Sequence, residues 1–242
     1  MGKRTRSQRK GSSPRYRVSS HRFPGANRLP SVKDEVVEVV DLVHSPIHTA
    51  PLAKLKSKDG KETFVAATDG MSVGQQVAVG ENITLKPGNI TTLKNIPEGT
   101  LVNNIELKPG DGGKIARSAG NSALVETHLE GKVRIKLPSG KSKDLRSSCR
   151  ATIGVLAGHG RSEMPLRTAG AAHYRAKAKG KAYPTVSGVK MNPVDHPHGG
   201  GEGKTSGGRS PVSPWGQSAK GLKTRRPKRS DKLIITRRKK RK

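Results

Sequence analysis

Short apolar runs that alternate in part with polar residues dominate the chain before Gly160. The first, Glu35–His44 (EVVEVVDLVH), is rich in valine, and Thr63–Thr68 and Gln76–Gly80 are shorter runs of the same kind. Runs of this length, bounded by Gly, Pro, Asn or Asp, are typical of β-strands. The dipeptide Asp59-Gly60 lies between PLAKLK and TFVAAT and predicts a tight hairpin.

A second group of apolar runs begins after the turn-forming sequence Pro97-Glu98-Gly99. Strand signals recur at short intervals, and no stretch has the periodicity of a convincing amphipathic helix. The spacing predicts a mostly β chain with two small barrels in series, over residues 34–93 and 100–162, joined by a linker at 94–99. The predicted strands of the second group are Thr100–Leu107, Ala123–His128, Lys132–Leu137, Ser142–Arg146 and Ala151–Leu156.

The strand pattern ends near Gly160, and residues 163–242 are rich in Gly, Pro, Lys and Arg. One interpretation is a disordered tail. Against it stand Trp215, within PVSPWG, and the apolar run Leu233–Ile235, which a purely solvating segment does not need. We therefore favour an extended basic C-terminal segment that becomes ordered on a bound partner.

Positive charge is unevenly distributed along the sequence. Residues 1–33 form a basic N-terminal arm with ten Lys/Arg and no Asp/Glu. Residues 34–93 hold five Lys/Arg against eight Asp/Glu, and residues 94–242 hold 33 against ten, for a total net charge of +30. A near-neutral block is thus predicted to lie between a basic arm and a basic C-terminal part.

This charge implies a polyanionic partner, because a free globule with such an excess would repel itself. Nucleic acid is favoured, since phosphates neutralise Lys and Arg and release counterions. A membrane is the rival, but no stretch approaches the roughly 20 apolar residues that span a bilayer. The first 28 residues are too polar for a secretory signal, and Cys149, as the single cysteine, excludes an internal disulfide. These features fit the reducing cytoplasm.

Sequence patterns for enzymatic chemistry are weak. Gly203-Lys204-Thr205 resembles the end of a phosphate-binding loop, but His198 stands where that pattern needs its first glycine. No Ser/His/Asp or Cys/His arrangement is discernible. Cys149 precedes Arg150, which would lower a thiol pKa, yet at the start of a strand a small buried hydrophobe is the favoured interpretation. We predict that the chain is not an enzyme.

Asp195-His196-Pro197-His198 is the most concentrated group of polar functional residues. A metal site is one interpretation, but a third well-placed ligand is missing nearby, so no protein-bound metal is predicted. A turn with solvated histidines is another, and Pro197 is expected to hold the two imidazoles apart. We favour a third, in which Gly199 and Gly200 let backbone approach RNA while the imidazoles donate to phosphate or stack on a base.

Two glycine-rich segments place cations among small residues. Gly110–Lys114 is followed by Ala116–Gly120, which contains Arg117. The alternatives are a flexible hairpin with solvated cations, or close backbone contact in which Lys114 and Arg117 bind phosphates. The surrounding positive charge favours the second.

Several motifs together resemble one known family. Gly188–Gly203 (GVKMNPVDHPHGGGEG) and Pro211–Gly216 (PVSPWG) look like the C-terminal extension of the ribosomal protein L-two family of the large subunit. Motifs NIPEG, KPGDGG, ARSAG and CRATIG match the same family in the same order, so the resemblance covers nearly the whole chain. The opening Met1–Arg28 is similar to archaeal and eukaryotic members, whereas the PVSPWG tail is closer to the bacterial form. An archaeal-like member is expected.

The resemblance implies an OB-like barrel at 34–93 and an SH3-like barrel at 100–162, with extensions that enter ribosomal RNA. Family members support subunit association, transfer RNA binding and peptidyl transfer. Arg117 matches a family arginine important for RNA binding, and His196 matches the histidine tied to peptidyl transferase activity. His48 stands where the other RNA-binding arginine is expected, so its contact with RNA should be weaker.

The resulting expectation is a structural constituent of the cytoplasmic large ribosomal subunit. Its predicted partners are large-subunit rRNA and neighbouring ribosomal proteins, with a contact to small-subunit rRNA at the subunit interface, and neither a membrane nor a second copy of itself. No cofactor is predicted beyond Mg²⁺ associated with rRNA. The alternatives are direct participation of His196 in peptidyl transfer, or a non-ribosomal RNA-binding chaperone. Predicted rRNA-binding residues are His48, Lys114, Arg117, Arg150, Arg161, Arg167, Asp195, His196, His198, Gly199, Gly200, Lys204, Arg225 and Arg226.

Overall fold

Valines at alternate positions fold the first apolar run into a strand with one buried side. In the computed structural model Val37 and Val39 are buried, whereas Val36 and Val40 are exposed. This is the alternation that a pleated strand imposes on its side chains. The structure describes residues 16–18, 20–21, 23–31, 34–202, 208–222, 231 and 234–236.

Eleven strands within these described ranges form one sheet, in the order β11-β9-β8-β7-β6-β10-β5-β4-β1-β2-β3. All neighbouring pairs are antiparallel except β4 and β5. The prediction of a mostly β chain is confirmed, while the division into two barrels stays a prediction. The strands are β1 Glu35–Val43, β2 Leu52–Lys56, β3 Glu62–Ala66, β4 Gln76–Val79, β5 Ile90–Thr92, β6 Leu101–Asn103, β7 Ala123–Leu129, β8 Lys132–Lys136, β9 Ser142–Arg146, β10 Arg150–Ile153 and β11 Ile234–Thr236.

Two larger clusters of buried apolar residues lie against this sheet, beside a third that contains only Ala50, Ala66 and Leu156. One contains Val37, Val77 and Ile90 and is drawn from strands β1 to β5 and the segment before them. The other contains Val102, Val125 and further residues between positions 93 and 153. Each cluster is small, as the low apolar content of the chain predicts.

Strand β10 joins the two halves of the sheet. It pairs with β5 through Arg150 and Thr92, and with β6 through Thr152 and Asn103. Thr152 and Asn103 are buried, so this junction carries polar side chains inside the protein. The loops that follow β6 are held next to it.

Residues 166–222 belong to a second compact unit, distinct from the unit that carries the sheet. It contains a helix, α1 (Ala169–Ala178), which hydrophobic patterning does not predict because the helix has no buried residue. Its alanines have high helix propensity, and the Thr168 hydroxyl caps it by accepting from the Ala171 amide at 3.2 Å. A 3-10 turn follows at Gly188–Lys190. In the part of the chain that the structure describes, no helix has the length and apolar character needed to cross a membrane.

Candidate nucleic-acid interface

The loop after β6 is organised by the fully buried carboxylate of Glu106, which is 0% exposed. It accepts from the Arg150 guanidinium at 2.9 Å and from the Arg150 amide at 3.0 Å. The amides of Gly110 and Gly112 also donate to it, at 3.1 and 3.2 Å. Burial acts to raise the pKa of Glu106, but the bonds from Arg150 and the charge of Arg150 outweigh it, so the pKa is lowered. Glu106 is therefore an anion that holds the loop.

Asp111 orders the same loop from its tip. Its carboxylate accepts from the amides of Leu107 and Lys108 at 3.2 and 3.3 Å, and from the amide of Gly113 at 3.2 Å. Gly113 has a φ of 86°, and a Cβ there would lie 2.5 Å from the Asn104 side-chain oxygen. Only glycine fits this position, so the KPGDGG loop has one well-defined shape.

Arg117 is held by backbone carbonyls and not by a carboxylate. Its guanidinium donates to the Asn27 carbonyl at 2.8 Å and to the Gly113 carbonyl at 3.3 Å. Burial, followed by the positive charge of Arg28, lowers the pKa of Arg117, which Asp111 partly offsets. Arg117 forms no ion pair with any carboxylate among the described residues. Its charge is thus positioned but not neutralised.

His48 lies close enough to Arg117 to feel its charge. Burial, and then the Arg117 guanidinium, lower the pKa of His48, so its imidazole is neutral near pH 7. Its Nδ1 is 2.8 Å from the Ser45 hydroxyl oxygen. The Ala119 amide donates to the Thr49 hydroxyl at 3.0 Å, which ties the two loops together. The structure therefore brings together two residues that the sequence placed in separate motifs.

The remaining predicted cations differ in how the protein uses them. Lys114 and Arg167 are exposed, and Arg161 is half-buried after the turn at Gly158–Gly160. Arg150 is engaged internally, because it also donates to the Pro30 carbonyl at 2.6 Å. Lys204, Arg225 and Arg226 lie outside the described residues.

His196 and His198 are neither separated nor solvated. They are 6% and 8% exposed, and their rings stack with centroids 5.2 Å apart and planes at 28°. The expectation that Pro197 holds the rings apart is wrong, because a turn closes around them. In this turn the Gly199 amide donates to the His196 carbonyl at 2.9 Å. A Cβ at Gly188 would lie 2.5 Å from the His196 ring, so a glycine is required there too.

Each histidine ring accepts a backbone hydrogen bond. The His198 amide donates to Nδ1 of His196 at 3.0 Å, and the Val212 amide donates to Nε2 of His198 at 2.9 Å. A ring nitrogen that accepts carries no proton, so the hydrogen-bond pattern assigns the proton of neutral His196 to Nε2 and that of His198 to Nδ1. His196 is thereby a hydrogen-bond donor at Nε2, and its Nδ1 lone pair is occupied.

Cys149 is buried, as the favoured interpretation predicted. Burial, and then the negative charge of Glu106, raise the pKa of its thiol to about 11. It is a small hydrophobe of the second apolar cluster. Among the described residues, no group of three or more His, Cys, Asp or Glu side chains is arranged to hold a metal ion.

Sequence reasoning missed two residues that build the interface. Glu106 gave one signal, a carboxylate two residues before KPGDGG, but its partner Arg150 is 44 positions away. Asn27 gave none, although its carbonyl holds Arg117 and its side-chain oxygen accepts from the Ala66 amide at 3.1 Å.

The fold and the site define a strongly basic β protein whose cationic loops are preorganised. Comparison with known proteins gives the family. Residues 86–216 match the family model described as Ribosomal Proteins L2, C-terminal domain. The chain is 45% identical to large ribosomal subunit protein uL2 of Archaeoglobus fulgidus over 88% of this chain and 91% of that protein. It is 46% identical to the uL2 proteins of Methanothermobacter thermautotrophicus and Methanococcus vannielii, over 88% of this chain and 91% and 93% of theirs.

The chain belongs to the uL2 family of large ribosomal subunit proteins. The resemblance inferred from its motifs is confirmed, and so is its archaeal-like character.

Proposed function

We propose that this protein is a structural constituent of the large ribosomal subunit in the cytoplasm and binds large-subunit rRNA directly. The observation that carries the proposal is the Arg117 guanidinium, which two carbonyls fix in place without neutralising it. A phosphate is the natural ligand for the N–H groups that remain, because charge-assisted bonds to anions are strong and directional. The net charge of +30 supports the same partner.

The role is positioning and not chemistry. Glu106 and Asp111 fix the loop that ends at Gly113, and Gly113 in turn supports Arg117. A cation that is already oriented loses little side-chain freedom when it binds phosphate. His48 adds no charge beside it, so this member of the family relies on Arg117 there.

The basic ends extend this contact over a larger area. Residues 1–33 and 163–242 would carry Lys and Arg to phosphates that the OB-like and SH3-like barrels do not reach. At up to about 3.3–3.6 Å per residue, the N-terminal arm could span roughly 100 Å. Such contacts would support subunit association, transfer RNA binding and the peptidyl transferase centre, beside neighbouring ribosomal proteins and small-subunit rRNA. Exposed Lys114 and Arg167, and half-buried Arg161, are further phosphate ligands in this proposal.

Replacing Arg117 with glutamine is expected to weaken binding to large-subunit rRNA about tenfold, because a charged hydrogen bond is lost. Arg134→Gln is the matched control. Arg134 already pairs with Asp144 at 3.0 Å, so its removal should change affinity little. Filter binding at one fixed salt concentration measures both. Equal affinities of the Arg117 variant and the unchanged protein would show that Arg117 does not contact the RNA.

Direct participation of His196 in peptidyl transfer is the competing function. A general base must offer a lone pair, but Nδ1 of His196 accepts from the His198 amide, and Nε2 then carries the proton. This arrangement does not favour a catalytic base. Supporting RNA geometry is therefore the proposed role of His196.

His196→Gln and His196→Asn separate the two roles. In assembled large subunits, single-turnover peptide transfer is expected to change by less than about tenfold in both, since general base catalysis contributes about 10²–10⁴. Asparagine can accept near the position of Nδ1, so it should preserve assembly better than glutamine. A loss of a thousandfold in correctly assembled subunits would establish a chemical role.

A further inference from the structure

Trp215 is presented at the tip of a tight turn. Its side chain is 53% exposed. The turn is closed by backbone bonds from Gly216 to the Ser213 carbonyl at 2.9 Å and from Ser213 to the Gln217 carbonyl at 2.7 Å. The Ser213 hydroxyl also accepts from the Gln217 amide at 3.2 Å. A large aromatic ring is therefore held out toward solvent by a turn with a fixed shape.

The base of this turn is anchored to the buried histidine pair. Val212 and Ser218 form an isolated antiparallel bridge, and the Ala219 amide donates to the Pro211 carbonyl at 2.9 Å. The Val212 amide also donates to Nε2 of His198 at 2.9 Å. Because His198 is buried and stacked on His196, the turn is tied to the interior of its own unit.

Such a ring is suited to a flat partner. Exposing an indole forgoes the apolar burial that normally places tryptophan inside a protein, and ordering its turn has an entropic cost. Since the turn is already ordered, a ligand that covers the ring gains contact without that cost. Aromatic side chains bind nucleic acid bases in this way, by stacking with little sequence preference.

The charge of the flanking sequence indicates the class of partner. Residues 203–230 contain eight Lys/Arg and no Asp/Glu. An apolar pocket on another protein would need no such excess, whereas a nucleotide offers both a base for the ring and a phosphate for the cations. We infer that Trp215 stacks on an unpaired base of RNA, with His198 as the residue that positions its turn. This rests on the proposed binding of rRNA and names one contact within it.

The chain contains a single tryptophan, so its fluorescence reports this contact alone. Single-stranded poly(A) and an A-form RNA duplex are added to the full-length protein at equal phosphate and equal salt. Stacking is expected to quench the emission with poly(A) and with unfolded stretches of large-subunit rRNA, while the duplex, whose bases are held in pairs inside the helix, quenches little. Equal quenching by duplex and single strand would overturn the inference.

Variants of Trp215 test how much its ring contributes to the affinity for RNA. Trp215→Leu should weaken binding to poly(A) about tenfold, and Trp215→Phe should weaken it less because a ring remains. Leu222→Ala is the matched control, since Leu222 is 52% exposed but has no ring to stack. If the leucine variant of Trp215 binds as well as the unchanged protein, stacking is excluded even though rRNA binding itself stands.

The positioning role of His198 has its own readout. Glutamine can accept near the position of Nε2 of His198, whereas leucine cannot. His198→Gln should keep the quenching by poly(A), and His198→Leu should reduce it while far-ultraviolet circular dichroism stays the same. Quenching lost equally in both variants would contradict the role assigned to His198. Emission that changes only when neighbouring ribosomal proteins are added, and not with RNA, would point to a protein pocket and refute the stacking.

Discussion

Replacing Glu106 with alanine is expected to lower the free energy of unfolding by about 3 kcal/mol, the lower end of the cost of breaking a buried ion pair. Glu106 is fully buried and the Arg150 side chain is 18% exposed, and the variant leaves the guanidinium without its carboxylate. The amides of Gly110 and Gly112 lose their acceptor as well. Chemical denaturation at neutral pH measures the loss.

The stabilisation by Glu106 is expected to depend on pH, in a direction set by its lowered pKa. Because the folded-state pKa of Glu106 is lowered, its contribution is fully present above the ordinary carboxyl pKa near 4.5. It is lost as the pH falls through the lowered value. The difference between the unchanged protein and Glu106→Gln should therefore be largest at neutral pH and shrink in acid. A difference that grows on acidification would contradict the assignment.

Controls distinguish the ion pair from a general loss of charge. Glu130→Gln removes an exposed carboxylate between β7 and β8 and should change stability by less than about 0.5 kcal/mol. Glu106→Leu combined with Arg150→Met should cost less than the sum of the two single changes, because the double variant leaves neither charge buried alone. Additive losses would mean that the two residues do not stabilise one another.

Removing the last six residues is expected to make rRNA binding much less sensitive to salt. Residues 237–242 are all Lys or Arg. If each binds a phosphate, the slope of log affinity against log salt should become less steep by about five. Over a fourfold rise in salt, the unchanged protein would then lose about a thousandfold more affinity than the truncated protein. Binding titrations at several salt concentrations give the slope.

The truncation must spare the strand that precedes it. Ile234–Thr236 is β11 and pairs with β9, so a longer deletion that included these residues would remove part of the sheet. Stopping at residue 236 keeps β11. Replacing the six cations with glutamine controls for the length of the chain. An unchanged slope in both proteins would show that this segment does not touch phosphate.

The strands were predictable where burial imposes a local pattern. A valine-rich run with partial alternation located β1, and Asp59-Gly60 located the hairpin of β2 and β3, in which Gly60 has a φ of 75°. Strands β5 and β11 have three residues each, too few to show alternation. They are strands only because of their pairing partners. β5 pairs with β4 and β10, and β11 pairs with β9.

The cations of the site were predictable from the sequence, but the residues that hold them in position were not. Arg117 stands in a recognisable motif, whereas Asn27 reaches it from 90 positions away. The stacking of His196 on His198 depends on a turn whose closure involves Gly188 and Gly199. Helix α1 has no apolar stripe, so periodicity could not reveal it. Contacts between distant segments leave no local trace in sequence.

The double pairing of β10 sets an order for folding during synthesis. Until residue 153 has been translated and has left the exit tunnel, β5 lacks β10 along one edge, and β6 lacks it as well. The growing chain therefore presents open strand edges together with its strongly basic N-terminal arm, a combination prone to wrong association. Newly made copies should therefore need protection, by a chaperone or by early binding to RNA, until β10 has been synthesised.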